Sequence, residues 1–201
     1  VATPDHWHAI PSIAAMKAGK DVYCEKPLAH TVEEGRKMVE AASKYGRVVQ
    51  TGSMQRSSKG FRQACELVRN GYVGEIKQVF VSVGDPAVLC DLPEQAIPAG
   101  LDWDRWIGPA PVHTFHEELA PLHGAKPWPM WRKYREFGGG SLSDWGAHMF
   151  DIAQWGLGMD ESGPVKFIPP EDPMAVRGMK MIYANGVEMI RPGNWRGVRP
   201  Q

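Results

Sequence analysis

The sequence predicts an α/β chain in two parts, a parallel-sheet region followed by an α+β region with an open, mostly antiparallel sheet. Three observations carry this. Residues 1–83 alternate short apolar runs with helical patterns of about twelve residues, the mark of βαβ units. Residues 84–137 are rich in Pro, Gly and Trp and break the alternation. Beyond them, "MKMIYANGVEMI" places two alternating runs around Asn185-Gly186, a strong hairpin signal. The domain boundary is set near residue 75, giving segments 1–75 and 76–201.

The first helix is expected over residues 6–17, with Ile10, Ile13 and Ala14 on one face and Gly19 as the stop. Residues 21–24 read as a strand. Thr31 and Glu34 form a T-x-x-E capping box, which opens a helix carrying Val32, Met38, Val39 and Ala42 and ending at Gly46. "RVVQTGSM" is the next strand. "SKGFRQACELVRNG" is a helix with Phe61, Ala64, Cys65 and Val68 inward, and "IKQVFVSV" is a strand. The 84–137 stretch exceeds a plain connection, and long ordered loops are usually functional. It is expected to hold short helical turns and to lie over a site. "GGGSLSDWGAHMFDIAQWGLG" opens a helix at Ser141 or Ser143 that runs to Trp155.

Composition narrows the function classes. The chain has 201 residues, 43% hydrophobic and 23% charged, ordinary for globular proteins. Net charge is zero, which removes the electrostatic argument for nucleic acid or an anionic membrane. No apolar run reaches the roughly 20 residues that span a bilayer. Three cysteines without C-x-x-C spacing argue against a disulfide framework and a structural zinc site. The chain opens on Val1 and closes with "NWRGVRPQ" just after the hairpin, so it reads as an internal piece of a longer protein. A cytoplasmic location is expected, with export left open because a signal peptide would lie upstream.

Several residues can carry chemistry. Asp144, His148 and Asp151 stand at i, i+4 and i+7, on one face of a continuous helix. A carboxylate one turn before a histidine can orient its ring and raise its basicity. The same residues also fit a helix-dipole aspartate with a core histidine, or a divalent-metal site. His113, His116 and His123 in the long stretch match no zinc spacing and read as surface or gating histidines. Lys26 follows a strand at its carboxyl end, where ligands bind in open parallel sheets. Glu25-Lys26-Pro27 is equally a solvated turn, and its Lys-Pro bond can be cis. Three successive strand ends nevertheless carry polar groups: Thr3 to Asp5, Glu25-Lys26 and Gln55-Arg56.

In that order, "TPDHWH", "AGKDVYCEKP", "GSMQR", "LDWDRWIGPAP" and "GGGSLSDWGAHMFDIAQW" resemble the Gfo/Idh/MocA oxidoreductases across most of residues 1–190. The resemblance implies the C-terminal part of a Rossmann domain over 1–75. Part of an α+β substrate and oligomerisation domain would follow over 76–201. It implies an NAD- or NADP-dependent enzyme moving hydride between nicotinamide and a secondary alcohol of a sugar, cyclitol or glycoside. Lys26 matches the lysine beside the nicotinamide, and Asp144 and His148 match the Asp-x-Gly-x-His pair. Thr3, Pro4, Asp5, His8, Glu25, Pro27, Gln55 and Arg56 are the cofactor-side residues.

His148 is the candidate base, with Lys26 stabilising charge on the same oxygen or acting as the base itself. Trp131, Arg132 and Tyr134, with Trp103, Trp106 and Trp128, suit a sugar face or pack the domain junction. No metal is implied, and the full-length parent is expected to be a homo-oligomer. The family's Gly-rich dinucleotide turn is not in this sequence, so the chain by itself is expected to be inactive. Two other readings stand beside this one: a glycosidase-like enzyme working by oxidation and elimination, and a scaffold without catalysis.

Overall fold

A computed structural model describes residues 1–120 and 130–193. His123, Trp128 and the closing "NWRGVRPQ" lie outside the described residues. The fold is α/β, with one parallel sheet and one mixed sheet. It divides into two compact units, Val1–Gly52 with Pro86–Asp144, and Ser53–Asp85 with Trp145–Gln201.

In the first unit, β1 (Val22–Cys24) and β2 (Val49–Thr51) pair in parallel, with Tyr23 opposite Gln50. Helix α1 (Ala9–Lys17) packs on α2 (Val32–Tyr45). A 3-10 turn over Asp5–Trp7 precedes α1, so the helix starts three residues later than the sequence suggests. Its buried face is Ala9, Ser12 and Met16, while Ile10 is 49% exposed. Of the expected face, Ile10 and Ala14 are exposed, whereas Ile13 packs partly buried against the core. A 9, 12, 16 ladder of small and flexible side chains is what lets α1 approach α2 closely.

Helix α2 begins with the expected reciprocal cap: Glu34 N–H donates to Thr31 Oγ1 (3.2 Å), and Thr31 N–H to Glu34 Oε2 (2.9 Å). Gly46 ends it at φ 59°, a left-handed conformation that glycine adopts without strain. Its buried residues are Met38 and Ala41, whereas Val32 and Val39 face out. Residues 86–144 build a second core from Trp103, Ile107, Phe115, Leu119, Trp131, Tyr134 and Phe137. Its regular elements are short: α4 (Trp103–Ile107), a 3-10 turn over Met130–Lys133, and α5 (Gly140–Asp144).

In the second unit, α3 (Lys59–Arg69) packs on α6 (Gly146–Gly156) beside a sheet of order β3-β6-β5-β4. Those strands are Gln78–Phe80, Glu188–Ile190, Lys180–Ile182 and Lys166–Ile168. The β3–β6 pair is parallel and the other two pairs are antiparallel. Strand β3 thus joins the second sheet, although the sequence alternation aligns it with β1 and β2. The Asn185-Gly186 hairpin forms as read: Gly186 has φ 85°, and Asn185 Oδ1 accepts from Val187 N–H at 3.2 Å.

The expected helix from Ser141 to Trp155 is two helices, broken at Trp145. Among the described residues, no helix is long and apolar enough to cross a membrane. Replacing Thr31 by Ala should remove about 1 kcal/mol of unfolding free energy, since one helix donor loses its acceptor. Urea denaturation of the two proteins measures this. An unchanged midpoint would show that the box contributes nothing.

Candidate active site

The first unit gathers three polar segments at the carboxyl ends of β1 and β2. The Glu25 N–H donates to Val1 O at 2.9 Å, which lays residues 1–5 beside the end of β1. The Gly52 N–H donates to Cys24 O at 2.7 Å and brings in the end of β2. A methyl group on Gly52 would stand 2.8 Å from Glu25 Oε2 and 3.1 Å from its Cα, so glycine is what permits this approach. No role was expected of Gly52, although a glycine interrupting the apolar run of the second strand was the available signal.

His8 sits behind these turns, 1% exposed. Its Nδ1 is 2.6 Å from Pro27 O and its Nε2 2.9 Å from Thr3 O, so one ring ties two of the segments together. Burial pushes the His8 pKa below the ordinary histidine value, against the two carbonyls that favour the charged ring. The neutral ring has one N–H, which one carbonyl receives. The ring thus holds the Thr3 and Pro27 backbones at a fixed separation. Pro27 is buried and follows a cis peptide from Lys26; Thr3 is exposed, and Glu25 and Pro4 are half-buried.

Lys26 reaches across 118 positions of sequence to Asp144. Its ammonium donates to the Asp144 carboxylate and, at 3.0 Å, to the Asp144 carbonyl. Their side chains are 16% and 7% exposed, so this pair sits largely out of water. The Arg132 Nε lies 3.7 Å from the same carboxylate, and its guanidinium covers the Trp131 ring at 4.1 Å. Asp5, at the start of its 3-10 turn, is 3% exposed, and burial pushes its carboxyl up to about 7.

The helix breaks after Asp144, whose carbonyl accepts from Lys26, and the His148 N–H donates to Trp145 O at 3.1 Å. Asp144 therefore closes α5 in the first unit, and His148 lies on α6 in the second. His148 is 5% exposed, with its ring 6.0 Å from that of Trp145. The single helix face expected for Asp144, His148 and Asp151 is interrupted. Asp151 instead takes two hydrogen bonds from Arg56, at 2.8 and 2.7 Å, and Asp160 takes a third at 2.7 Å. Gln55 precedes Arg56 in the same 3-10 turn, Met54–Ser57.

Trp131 and Tyr134 are core residues at 4% and 2% exposure, with the Tyr134 hydroxyl on Glu118 Oε1 at 2.8 Å. Trp103 and Trp106 stack at 4.7 Å, and Trp106 meets Phe137 at 5.2 Å. These rings pack the 86–144 core. Among the described residues no three His, Cys, Asp or Glu are placed to hold a metal ion.

Two family models match this chain. One, described as "Oxidoreductase family, NAD-binding Rossmann fold", covers residues 1–53, and "Oxidoreductase family, C-terminal alpha/beta domain" covers residues 67–198. The chain is 50% identical to inositol 2-dehydrogenase 3 of Saccharopolyspora erythraea over 68 residues, 33% of this chain and 20% of that protein. It is 26% identical to 1,5-anhydro-D-fructose reductase of Ensifer adhaerens over all 201 residues, 46% of that protein. The fold matches an NAD+-bound inositol dehydrogenase homologue of Azotobacter vinelandii with TM-score 0.59 and 22% identity, over 95% of this chain and 44% of that one. The chain spans less than half the length of these relatives.

Gly52→Ala should destabilise by about 1–3 kcal/mol, because its methyl meets backbone at Glu25. Gly60→Ala, in α3 with only Ser58 Oγ at 4.0 Å, should stabilise by about 0.5–1 kcal/mol. Thermal melts of both variants check the pair. Equal effects would show that the approach at Gly52 is not tight.

Proposed function

The chain belongs to the Gfo/Idh/MocA oxidoreductase family, and on that premise we propose that its parent protein is a nicotinamide-dependent dehydrogenase acting on a secondary alcohol of a sugar, cyclitol or glycoside. The observation that carries this is the Lys26–Asp144 pair at the carboxyl end of a parallel strand. An ammonium held out of water by a carboxylate and a carbonyl is a fixed, directed charge, suited to an oxygen that gains negative charge.

The residues present fit the nicotinamide end of a dinucleotide. Two parallel strand ends meet there, glycine at position 52 lets them close up, and the polar Thr3–Pro4 and Glu25–Pro27 segments lie alongside. When bound, nicotinamide supplies a hydride acceptor. The names of the relatives, an inositol dehydrogenase and an anhydrofructose reductase, support a polyhydroxylated substrate.

Lys26 has three N–H donors. Two go to Asp144, and the third is assigned to the substrate oxygen. Asp144 keeps the amine aimed, with Arg132 on its other flank. His148 keeps its assignment as proton acceptor on the Asp-x-Gly-x-His pattern. Gln55 and Arg56 are the less specific part of the cofactor assignment, since Arg56 spends its guanidinium on Asp151 and Asp160.

The full-length protein should reduce NAD or NADP in the presence of one member of a panel of inositols, aldoses and glycosides. Lys26→Ala, Asp144→Asn and His148→Ala should each lower kcat/KM by about 10²-fold or more. Turnover unchanged in Lys26→Ala and His148→Ala would remove the site assignment. Release of an aglycone without accumulation of reduced nicotinamide would replace the dehydrogenase reading by oxidation and elimination.

A further inference from the structure

The glycine run before α5 has a use that its sequence alone does not show. Gly138 is buried and Gly139 half-buried, in the link between the 3-10 turn at 130–133 and α5. A methyl group on Gly138 would stand 3.1 Å from Arg132 Cα and 3.2 Å from Arg132 O. One on Gly139 would stand 2.2 Å from Ser143 Cβ and 2.7 Å from Ser143 Oγ. A Cβ does not come within 3.0 Å of another heavy atom, so positions 139 and 143 would have to part by roughly 1 Å.

The two elements so touched are those that meet at the Asp144 carboxylate. Arg132 Nε lies 3.7 Å from it, and Ser143 directly precedes it in α5. The chain on the other side of the glycines has little room to yield. Phe137 is fully buried, and the Phe137 and Gly138 N–H groups both donate to Tyr134 O, at 3.1 and 2.8 Å. A displacement caused by a side chain at position 139 therefore passes forward into Ser143 and Asp144.

We propose that Gly139, with Gly138 beside it, is the spacer that holds Asp144 where its carboxylate and its carbonyl both receive the Lys26 ammonium. Gly139 is a positioning residue, acting through Asp144 and Lys26. The spacing rests on the geometry of this segment alone, and its effect on turnover rests on the dehydrogenase reading.

The test is a two-residue cycle in the full-length protein: Gly139→Ala, Ser143→Gly, and the two together. Taking away the Ser143 side chain takes away the atoms that the new methyl would meet. Three quantities are read: the urea midpoint, the labelling of Lys26 by acetic anhydride measured by mass spectrometry of its peptide, and kcat and KM on a substrate the parent turns over. Gly139→Ala should lower the midpoint and raise Lys26 labelling several-fold, because the ammonium loses its paired hold. It should lower kcat by about 10-fold or more with KM little changed, since Lys26 serves an oxygen that gains charge only as hydride leaves. Ser143→Gly alone should stay near the parent in labelling and kcat, and the double variant should return toward the parent in all three. A packing role alone would move the midpoint but neither the labelling nor the balance of kcat against KM.

A double variant no closer to the parent than Gly139→Ala, or Lys26 labelling unchanged in Gly139→Ala, overturns the proposal whatever the turnover. If Gly139→Ala does not fold, a double variant that folds with parental labelling supports the spacer, and one that does not fold overturns it. Labelling that moves and recovers beside an unchanged kcat overturns the influence on turnover. Labelling that moves and recovers with no turnover on any substrate keeps the spacer and discards the dehydrogenase reading instead.

Discussion

Much of the local architecture around the candidate site follows from placing the Lys26 ammonium where little water reaches it. Such a charge costs several kcal/mol unless it is paired and hydrogen-bonded. Asp144 supplies both a carboxylate and a carbonyl to it. The carbonyl that accepts from Lys26 lies at the last residue of α5. The chain restarts as α6 from Gly146, with Trp145 O taking the His148 N–H. An ion pair of this kind is weak as a stabilising device, since apolar replacements often do as well. Its effect here is geometric, because it ties a strand-end turn to a helix end.

Histidine and aromatic rings do the corresponding work on either side. His8 holds the Thr3 and Pro27 carbonyls together from behind. His6 lies 3.0 Å by its Nε2 from Trp106 O, with its ring against Trp106 and Phe137, so the 3-10 turn carrying Asp5 is anchored to the 86–144 core. That core has few regular elements, and stacked indoles and phenyl rings supply the burial that longer helices would otherwise provide. The tryptophan abundance that suggests a sugar platform is, at Trp103 and Trp131, the material of the fold itself.

Signals written in a few adjacent residues were legible in advance. The capping box at Thr31 and Glu34, the glycine stop at Gly46 and the Asn185-Gly186 hairpin are each specified by local backbone chemistry, and each forms. Lys26 was legible as a candidate because it lies at one of three successive strand ends that carry polar groups, not because its own turn is unusual. The buried faces of α1 and α2 were not, because hydrophobic residues such as Ile10 and Val32 satisfy a periodic pattern without facing the core.

By itself, then, the sequence determined the alternation of helix and strand over residues 1–83, the hairpin and the residues able to carry charge at strand ends, since these depend on neighbours within about four positions. Tertiary structure alone decided the partners. It gave Asp151 to Arg56, Asp144 to Lys26, β3 to β6, and Trp131 to the core. Burial and charge pairing are properties of what folds back onto a residue, and the Lys26–Asp144 approach spans 118 positions of chain.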